Sequence, residues 1–316
     1  MTKPSVDHSA ATQSGEGATQ SGERRRNRRL SPRISRLTEV PQGSMVELPG
    51  RGSTYVVDLA GPAPDSPTIL LLHGMATTAM LNWFASLSEL NELYRVVLFD
   101  QRWHGHGIRS ERFDLDDLAD DAIAVAEVLG LDRPVLAGYS MGGVIAELAA
   151  HRNPDKVGGI VLAATTYRFQ ETRRERAFHK TWGLLAASFA ETAMRRTEVH
   201  KQKLPVLPEA SWPVGRMDRW AMAEMRSTSG WALAQALAVL GNFDATEWLS
   251  TLKVPAAVVI TTRDRALPVY RQLEMAKMIP GAEIFLAKAG HAACALEADV
   301  FVPVFLEACR SVVERL

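Results

Sequence analysis

The chain has 316 residues, with 36 lysines and arginines against 36 aspartates and glutamates and a hydrophobic share of 47%. That is enough apolar material for one large α/β domain with an insertion, and a formal net charge of zero gives no general case for a nucleic-acid partner. Two cysteines cannot build a disulfide framework, no segment is long enough to cross a bilayer, and no apolar stretch follows the basic N-terminus as a secretory signal would need, so a cytoplasmic, reducing setting is expected.

Residues 1–44 differ from the rest. They are poor in apolar residues and carry a tandem repeat, Ala11-Thr12-Gln13-Ser14-Gly15-Glu16-Gly17 followed by Ala18-Thr19-Gln20-Ser21-Gly22-Glu23-Arg24. Such a composition cannot bury enough surface to fold alone and reads as a disordered tail. The basic cluster Arg24-Arg25-Arg26-Asn27-Arg28-Arg29, with Arg33 and Arg36 beyond it, reads as solvated. The sharper alternative is a weak electrostatic contact with an anionic membrane surface and a peripheral location.

Two strands, 45–48 and 54–59, are joined through Pro49-Gly50-Arg51-Gly52 as a hairpin. Apolar runs at 68–72, 95–99, 135–138, 158–163, 256–260 and 282–286 then alternate with helical segments, which predicts a mostly parallel eight-stranded sheet flanked by helices. The rhythm breaks over 167–250, where helical patterns continue without strands. An inserted helical cap is expected there, with the core divided into 45–166 and 251–316.

The run Val135-Leu136-Ala137-Gly138-Tyr139-Ser140-Met141-Gly142-Gly143 is an apolar strand that ends in G-x-S-x-G and passes straight into a helix, which Asn153-Pro154 stops. By itself the pattern is weak and reads as a glycine-rich turn with a surface serine. In this context it reads as a nucleophile elbow: a serine hydroxyl is a poor nucleophile unless held clear of the sheet, near a base and beside N–H donors. Gly138 and Gly142 would then be needed because a Cβ beside a strained serine meets the turn or the adjacent strands, and Gly143 removes one more obstruction. Upstream, strand 68–72 runs into His73-Gly74-Met75. Downstream, strand 256–260 leads through Thr261-Thr262-Arg263 to Asp264, and strand 282–286 leads to Ala289-Gly290-His291.

These segments resemble the α/β-hydrolase fold superfamily, close to its serine esterase, lipase and carbon-carbon bond hydrolase branches, over residues 45–316. The resemblance implies the order nucleophile, acid, histidine, with Ser140, Asp264 and His291 in those roles and an oxyanion loop upstream. It implies that the backbone N–H groups of Met75 and Met141 receive the oxyanion, that His73, Gly74, Gly138, Gly142 and Gly143 support them, and that neither cofactor nor metal is required. Serine at the elbow excludes epoxide hydrolases and haloalkane dehalogenases, which need aspartate there. The segment Asp100-Gln101-Arg102-Trp103-His104-Gly105-His106-Gly107 resembles the family's D-x-R-G-x-G-x-S stretch but departs from it, with Trp103 in place of a glycine and the serine delayed to Ser110.

Several residues have plainer readings. His73, His104, His106 and His151 read as structural or supporting histidines, and Asp100, Asp116, Asp117 and Asp244 as loop or helix-start residues. Asp264, between Arg263 and Arg265, has the alternative of a surface ion pair, while 163–166 after the sixth parallel-sheet position offers no carboxylate. Cys294 and Cys309 read as buried thiols, Cys294 near the pocket. The insertion carries Trp182, Leu184, Leu185, Phe189, Met194, Trp212, Met217, Trp220, Met222, Met225, Trp231, Leu237 and Phe243, mostly as its own core, and suits an adaptable apolar pocket.

The expected activity is hydrolysis of carboxylic esters of small to medium apolar acyl groups, lipid esters included. The rival within enzymes is a carbon-carbon bond hydrolase of diketone-type substrates, with Arg102, Arg109 or Arg226 holding a carboxylate. A reading from another class is a slow-turnover ligand receptor or signalling protein on the same fold.

Overall fold

Eight short apolar runs pair into one sheet, and their composition explains their places in it. The computed structural model describes residues 41–110, 113–197, 214–228 and 230–316. The strands are β1 (Ser44–Leu48), β2 (Gly52–Leu59), β3 (Thr68–Leu72), β4 (Arg95–Phe99), β5 (Val135–Tyr139), β6 (Gly159–Ala163), β7 (Ala256–Thr261) and β8 (Glu283–Ala287). Their spatial order is β1-β2-β4-β3-β5-β6-β7-β8. Only β1 with β2 and β2 with β4 pair antiparallel; every other neighbour is parallel. β5 and β6, in the middle, are buried at every position, which is why VLAGY and GIVLA show no polar alternation.

The helices are α1 (Ala79–Asn91), α2 (Leu115–Val128), α3 (Met141–Arg152), α4 (Arg173–Thr197), α5 (Val214–Ser227), α6 (Gly230–Asn242), α7 (Val269–Met278), the single turn α8 (Ala293–Leu296) and α9 (Ala298–Val313). Strand residues alternate between two cores. Leu70, Leu72, Val97, Phe99 and Leu136 pack with residues of α2 and α3, whereas Ile69, Leu71, Val96, Leu98 and Ala137 pack with residues of α1 and α9. Each fully buried leucine or phenylalanine in these layers contributes about 1.5–3 kcal/mol. β8 closes one end of the sheet, where Ile284 and Leu286 are exposed.

The expected strands are all present, with bounds shifted by one or two residues, and the hairpin turns at 49–52 with Gly50 and Gly52 at positive φ. β1 takes in Ser44, the last residue of the expected tail. The tandem repeat and the Arg24–Arg29 cluster lie outside the described residues, as do the side chains of Phe189, Met194, Trp212 and Met217. The stretch 167–250 holds α4, α5 and α6 between β6 and β7. Its hydrophobic residues are not all core: Trp220, Trp231 and Phe243 are buried, whereas Leu184, Leu185, Met222 and Met225 are exposed. On α5 the cause is the helical period, since Trp220, Ala221 and Glu224 form the inward face and leave Met222 and Met225 outside. Among the described residues no helix is long and apolar enough to cross a membrane.

Candidate active site

β5 delivers Ser140 at a backbone φ of 52° and ψ of −115°, a conformation that a non-glycine residue holds only when its surroundings enforce it. The enforcement is visible. The Ser140 N–H donates to the Ala163 carbonyl at 2.9 Å, and the Thr165 hydroxyl donates to the Ser140 carbonyl at 2.8 Å. A Cβ on Gly138 would stand 2.1 Å from the Gly142 oxygen, one on Gly142 would stand 2.1 Å from the Leu72 oxygen, and one on Gly143 would stand 2.5 Å from Thr165 Cγ2. Only glycine fits these three positions. α3 begins at Met141 with Ser140 at its N-cap, and the Gly143 N–H donates to the Ser140 carbonyl at 2.9 Å.

The loop after β8 brings His291 to this serine. Its Nε2 lies 3.1 Å from Ser140 Oγ, while its Nδ1 lies 2.8 Å from Asp264 Oδ2. The Tyr139 hydroxyl donates to the His291 carbonyl at 2.6 Å and anchors that loop to the elbow strand. Asp264 does not form the surface ion pair with its arginine neighbours, because Arg263 pairs with Glu297 instead. The aspartate turns inward and its Oδ1 accepts from the backbone N–H groups of Ala266 at 2.8 Å and Leu267 at 2.9 Å, while Oδ2 accepts from the Thr261 hydroxyl at 2.8 Å. Burial opposes its ionisation, but the His291 imidazole and these donors outweigh that and hold its carboxyl below the usual aspartate range. With the carboxylate accepting from Nδ1–H, Nε2 is left as the acceptor that faces the serine hydroxyl.

The loop after β3 lies against the same serine. A Cβ on Gly74 would sit 3.5 Å from Ser140 Cβ and 3.4 Å from Asn82 Oδ1, ordinary contacts, so glycine here keeps the space beside the serine open and avoids no clash. The Gly74 N–H donates to Asn82 Oδ1 at 3.0 Å. His73 is fully buried: its Nε2 accepts from the Gln101 N–H at 2.9 Å and its Nδ1 lies 2.8 Å from the Gly74 carbonyl. Desolvation, and then the neighbouring His104, push His73 well below the usual histidine range, so it stays neutral. His73 and His104 thus lie buried among these loops, hydrogen-bonded to their backbone. Asn82, Thr261, Tyr139 and Thr165 were not marked by any sequence pattern, since each acts through a contact that short motifs do not encode.

Trp103 occupies the place of the family's glycine at φ 65°, in the left-handed region that disfavours side chains, and its N–H donates to the Ile108 carbonyl at 2.9 Å. Its ring meets Trp231 of α6 at a centroid distance of 4.3 Å, and the Arg109 guanidinium stands 5.6 Å from the Trp103 ring centroid. The departure therefore docks the inserted helices onto the loop after β4. A second tie runs from α5, whose Glu224 accepts from the Thr78 hydroxyl at 2.6 Å. Burial, together with the nearby Asp100 carboxyl, pushes Glu224 up to about 7 against the opposing Thr78 bond. A third joins α4 and the segment just before it to α7, where Arg271 reaches Glu175 at 2.7 Å and Glu171 at 3.0 Å and the Tyr270 hydroxyl donates to Glu171 at 2.5 Å.

The arginines considered for a substrate carboxylate are committed elsewhere or outward. Arg102 is buried against Asp121, Arg109 donates to the carbonyls of Gly105 at 2.6 Å and Gly107 at 3.1 Å, and Arg226 is exposed. Cys294 is buried behind His291 in the core with Tyr139, and that burial pushes its thiol up to about 12. Glu147 of α3 is fully buried and both its oxygens lack a hydrogen-bond partner, so desolvation holds it well above the usual glutamate range, protonated. Among the described residues no group of three or more His, Cys, Asp or Glu side chains could hold a metal ion.

Comparison with known proteins bears on the family and the fold. A family model described as the alpha/beta hydrolase fold matches residues 67–298. The chain is 27% identical over 241 residues to a protein of Rhizobium rhizogenes named as the carbamate hydrolase RutD, covering 75% of this chain and 90% of that protein. It is 29% identical over 243 residues to a pimeloyl-acyl-carrier-protein methyl ester esterase of Chromobacterium violaceum, covering 75% and 90%. Among solved structures, a thermophilic esterase from Thermogutta terrifontis superposes with a TM-score of 0.65 at 21% identity, covering 86% of this chain and 99% of that one.

Proposed function

This chain belongs to the α/β-hydrolase fold family, and we propose that within it the protein is a serine hydrolase that cleaves carboxylic esters of small to medium apolar acyl groups through an acyl-enzyme on Ser140. The observation that carries the reading is the continuous relay from Ser140 Oγ at 3.1 Å to His291 Nε2 and from His291 Nδ1 at 2.8 Å to Asp264. In this mechanism His291 takes the serine proton as Oγ attacks the acyl carbon, and the N–H groups of Met75 and Met141 receive the charge on the carbonyl oxygen. The imidazolium, oriented by Asp264, then protonates the leaving alcohol. A water molecule activated by the same imidazole releases the acid and frees the serine.

The inserted helices serve as a cap. Their ties to Thr78 and Trp103, next to the loops around Ser140, and the buried Trp220 and Trp231 support an apolar acyl site beneath them. The ester reading is favoured over carbon-carbon bond cleavage because Arg102 and Arg109 are bound to Asp121 and to loop carbonyls and do not offer themselves to a substrate carboxylate. The esterase relative supports an ester as the substrate class, and the carbamate hydrolase relative makes aryl carbamates the natural second panel.

Steady-state hydrolysis of p-nitrophenyl esters of graded chain length, with Ser140→Ala as control, tests the assignment. Turnover that disappears in the variant supports it, and the preferred chain length measures the acyl site. An intact protein that releases one equivalent of nitrophenol and then stops would favour a slow-turnover receptor, and one inert to every ester and carbamate would sink the reading.

A further inference from the structure

We infer that Thr77, together with His73, positions and strengthens the Met75 N–H as an oxyanion donor by clamping the carbonyl of the same peptide unit. The inference rests on the reading of Ser140 as nucleophile and concerns a residue that touches neither the serine nor the substrate. The Gly74 carbonyl and the Met75 N–H belong to one planar trans peptide, so they point in opposite directions and turn together. Whatever fixes the carbonyl aims the N–H.

Two side chains fix it. The Thr77 hydroxyl donates to the Gly74 oxygen at 2.8 Å, and His73 Nδ1 lies at the same 2.8 Å from it. The histidine's role as donor follows from its other nitrogen: Nε2 accepts the Gln101 N–H at 2.9 Å, so the ring proton sits on Nδ1. The Thr77 hydroxyl has two other contacts, Asn82 Oδ1 and His73 Nδ1, each at 3.5 Å and each poorer than its bond to the Gly74 oxygen. The turn is also strained, with Ala76 at φ 63°, and the Thr77 hydroxyl closes it by reaching back three residues. The Gly74 N–H, in the preceding peptide unit, is held by Asn82 at 3.0 Å, so the backbone is fixed at Gly74 before the clamped peptide begins.

The clamp does more than aim. Two donors on a carbonyl oxygen draw electron density out of the amide and make its N–H a stronger donor, the cooperative effect seen in hydrogen-bond chains. That effect matters most when negative charge forms opposite the N–H, so it acts on the transition state and not on the bound ester. Thr77 is therefore a positioning residue whose removal lowers kcat and leaves KM in place.

The test compares wild type, Thr77→Val, which keeps the shape and loses the hydroxyl, and Thr77→Ser, which keeps the hydroxyl. Three quantities are read: kcat and KM on the best p-nitrophenyl ester, the affinity for a trifluoromethyl ketone of the same acyl chain, and the amide resonance of Met75 in the resting protein. Loss of a whole oxyanion donor costs on the order of a hundredfold, so weakening one lowers kcat in Thr77→Val by roughly tenfold, with KM within about twofold. The ketone, which forms an oxyanion with the serine, weakens by the same factor, and the Met75 amide proton moves upfield. Thr77→Ser restores all three to within about twofold. A Thr77→Val protein with wild-type kcat and an unmoved Met75 resonance overturns the clamp, as does Thr77→Ser failing as Thr77→Val does. If wild type turns over no ester and binds no ketone, the hydrolase reading fails by itself, and the Met75 resonance still decides whether Thr77 polarises that peptide.

Discussion

The loops at the strand ends and the inserted helices are held by different means. Around Ser140 the constraint is backbone and steric: a Cβ on Gly142 would stand 2.1 Å from the Leu72 oxygen, and Asp264 is fixed by two backbone N–H groups, a hydroxyl and an imidazole. Helices α4 to α6 are held by rings and long side chains, Trp103 on Trp231, Phe84 on Trp220, Thr78 with Glu224, and Arg271 with Glu171 and Glu175, while Leu184, Met222 and Met225 face outward. The first arrangement leaves no freedom and the second leaves several contacts that can change one at a time. The loops at the strand ends are over-determined, and the packing of the inserted helices against them is adjustable.

Substitutions in the two regions break or sharpen that contrast. The largest effect belongs to Ser140→Ala, which lowers ester turnover by about 10⁴-fold or more with a nearly unchanged melting temperature; residual turnover near wild type would remove the serine from the reaction. Asp264→Asn lowers kcat by about 10³–10⁴-fold by leaving the imidazole in the wrong tautomer. Because the Asp264 carboxyl lies below its ordinary range when folded, its stabilising effect is present at neutral pH and is lost as pH falls through the lowered value. Melting curves of the two proteins therefore converge only in acid, below about pH 4.

Gly142→Ala tests the steric constraint and costs about 3 kcal/mol in chemical denaturation, since its Cβ meets backbone that cannot move aside. Glu224→Gln tests the tie between the regions. A carboxyl raised to about 7 when folded favours the native state while protonated, so wild-type stability declines from about pH 4.5 to about pH 7 relative to the glutamine variant, by roughly 3 kcal/mol in all. Parallel melting temperatures across that range would show that burial does not govern Glu224. Smallest is Met222→Ser on the outer face of α5, which changes stability by less than about 0.5 kcal/mol in the same assay.

How much of this was legible follows the same division. The glycine pattern around Ser140 states its own geometry, because the conformation it serves is local. Strand bounds missed by a residue or two where a neighbouring strand decides them: Tyr139 joins β5 because it pairs with Ala163, and Thr261 joins β7 because it pairs with Ala287. Ala282 leaves β8 because its N–H turns back to the Ile279 carbonyl at 3.2 Å. The resemblance, with its order of nucleophile, acid and histidine, implies that Ser140, Asp264 and His291 are spatial neighbours, and they meet. The contact of Thr78 with Glu224, 146 residues apart, was illegible, since nothing in either stretch announces the other. Trp103 showed only as a departure from a pattern, and its reason lay in Trp231. Periodicity also overestimated the core of 167–250, because apolar residues on a helix report a face without saying whether anything covers it.

The strand order carries a consequence for how the protein is made. β7 and β8 come last in the chain and stand last in the sheet, beyond β6, so they are synthesised after every strand they extend. A nascent chain that has cleared the ribosome as far as β6 holds Ser140 and the Gly74–Met75 peptide, but it has neither Asp264 nor His291. On the reading of Ser140 as nucleophile, its hydroxyl gains its base only once the final strand is in place and the Tyr139 hydroxyl holds the His291 carbonyl.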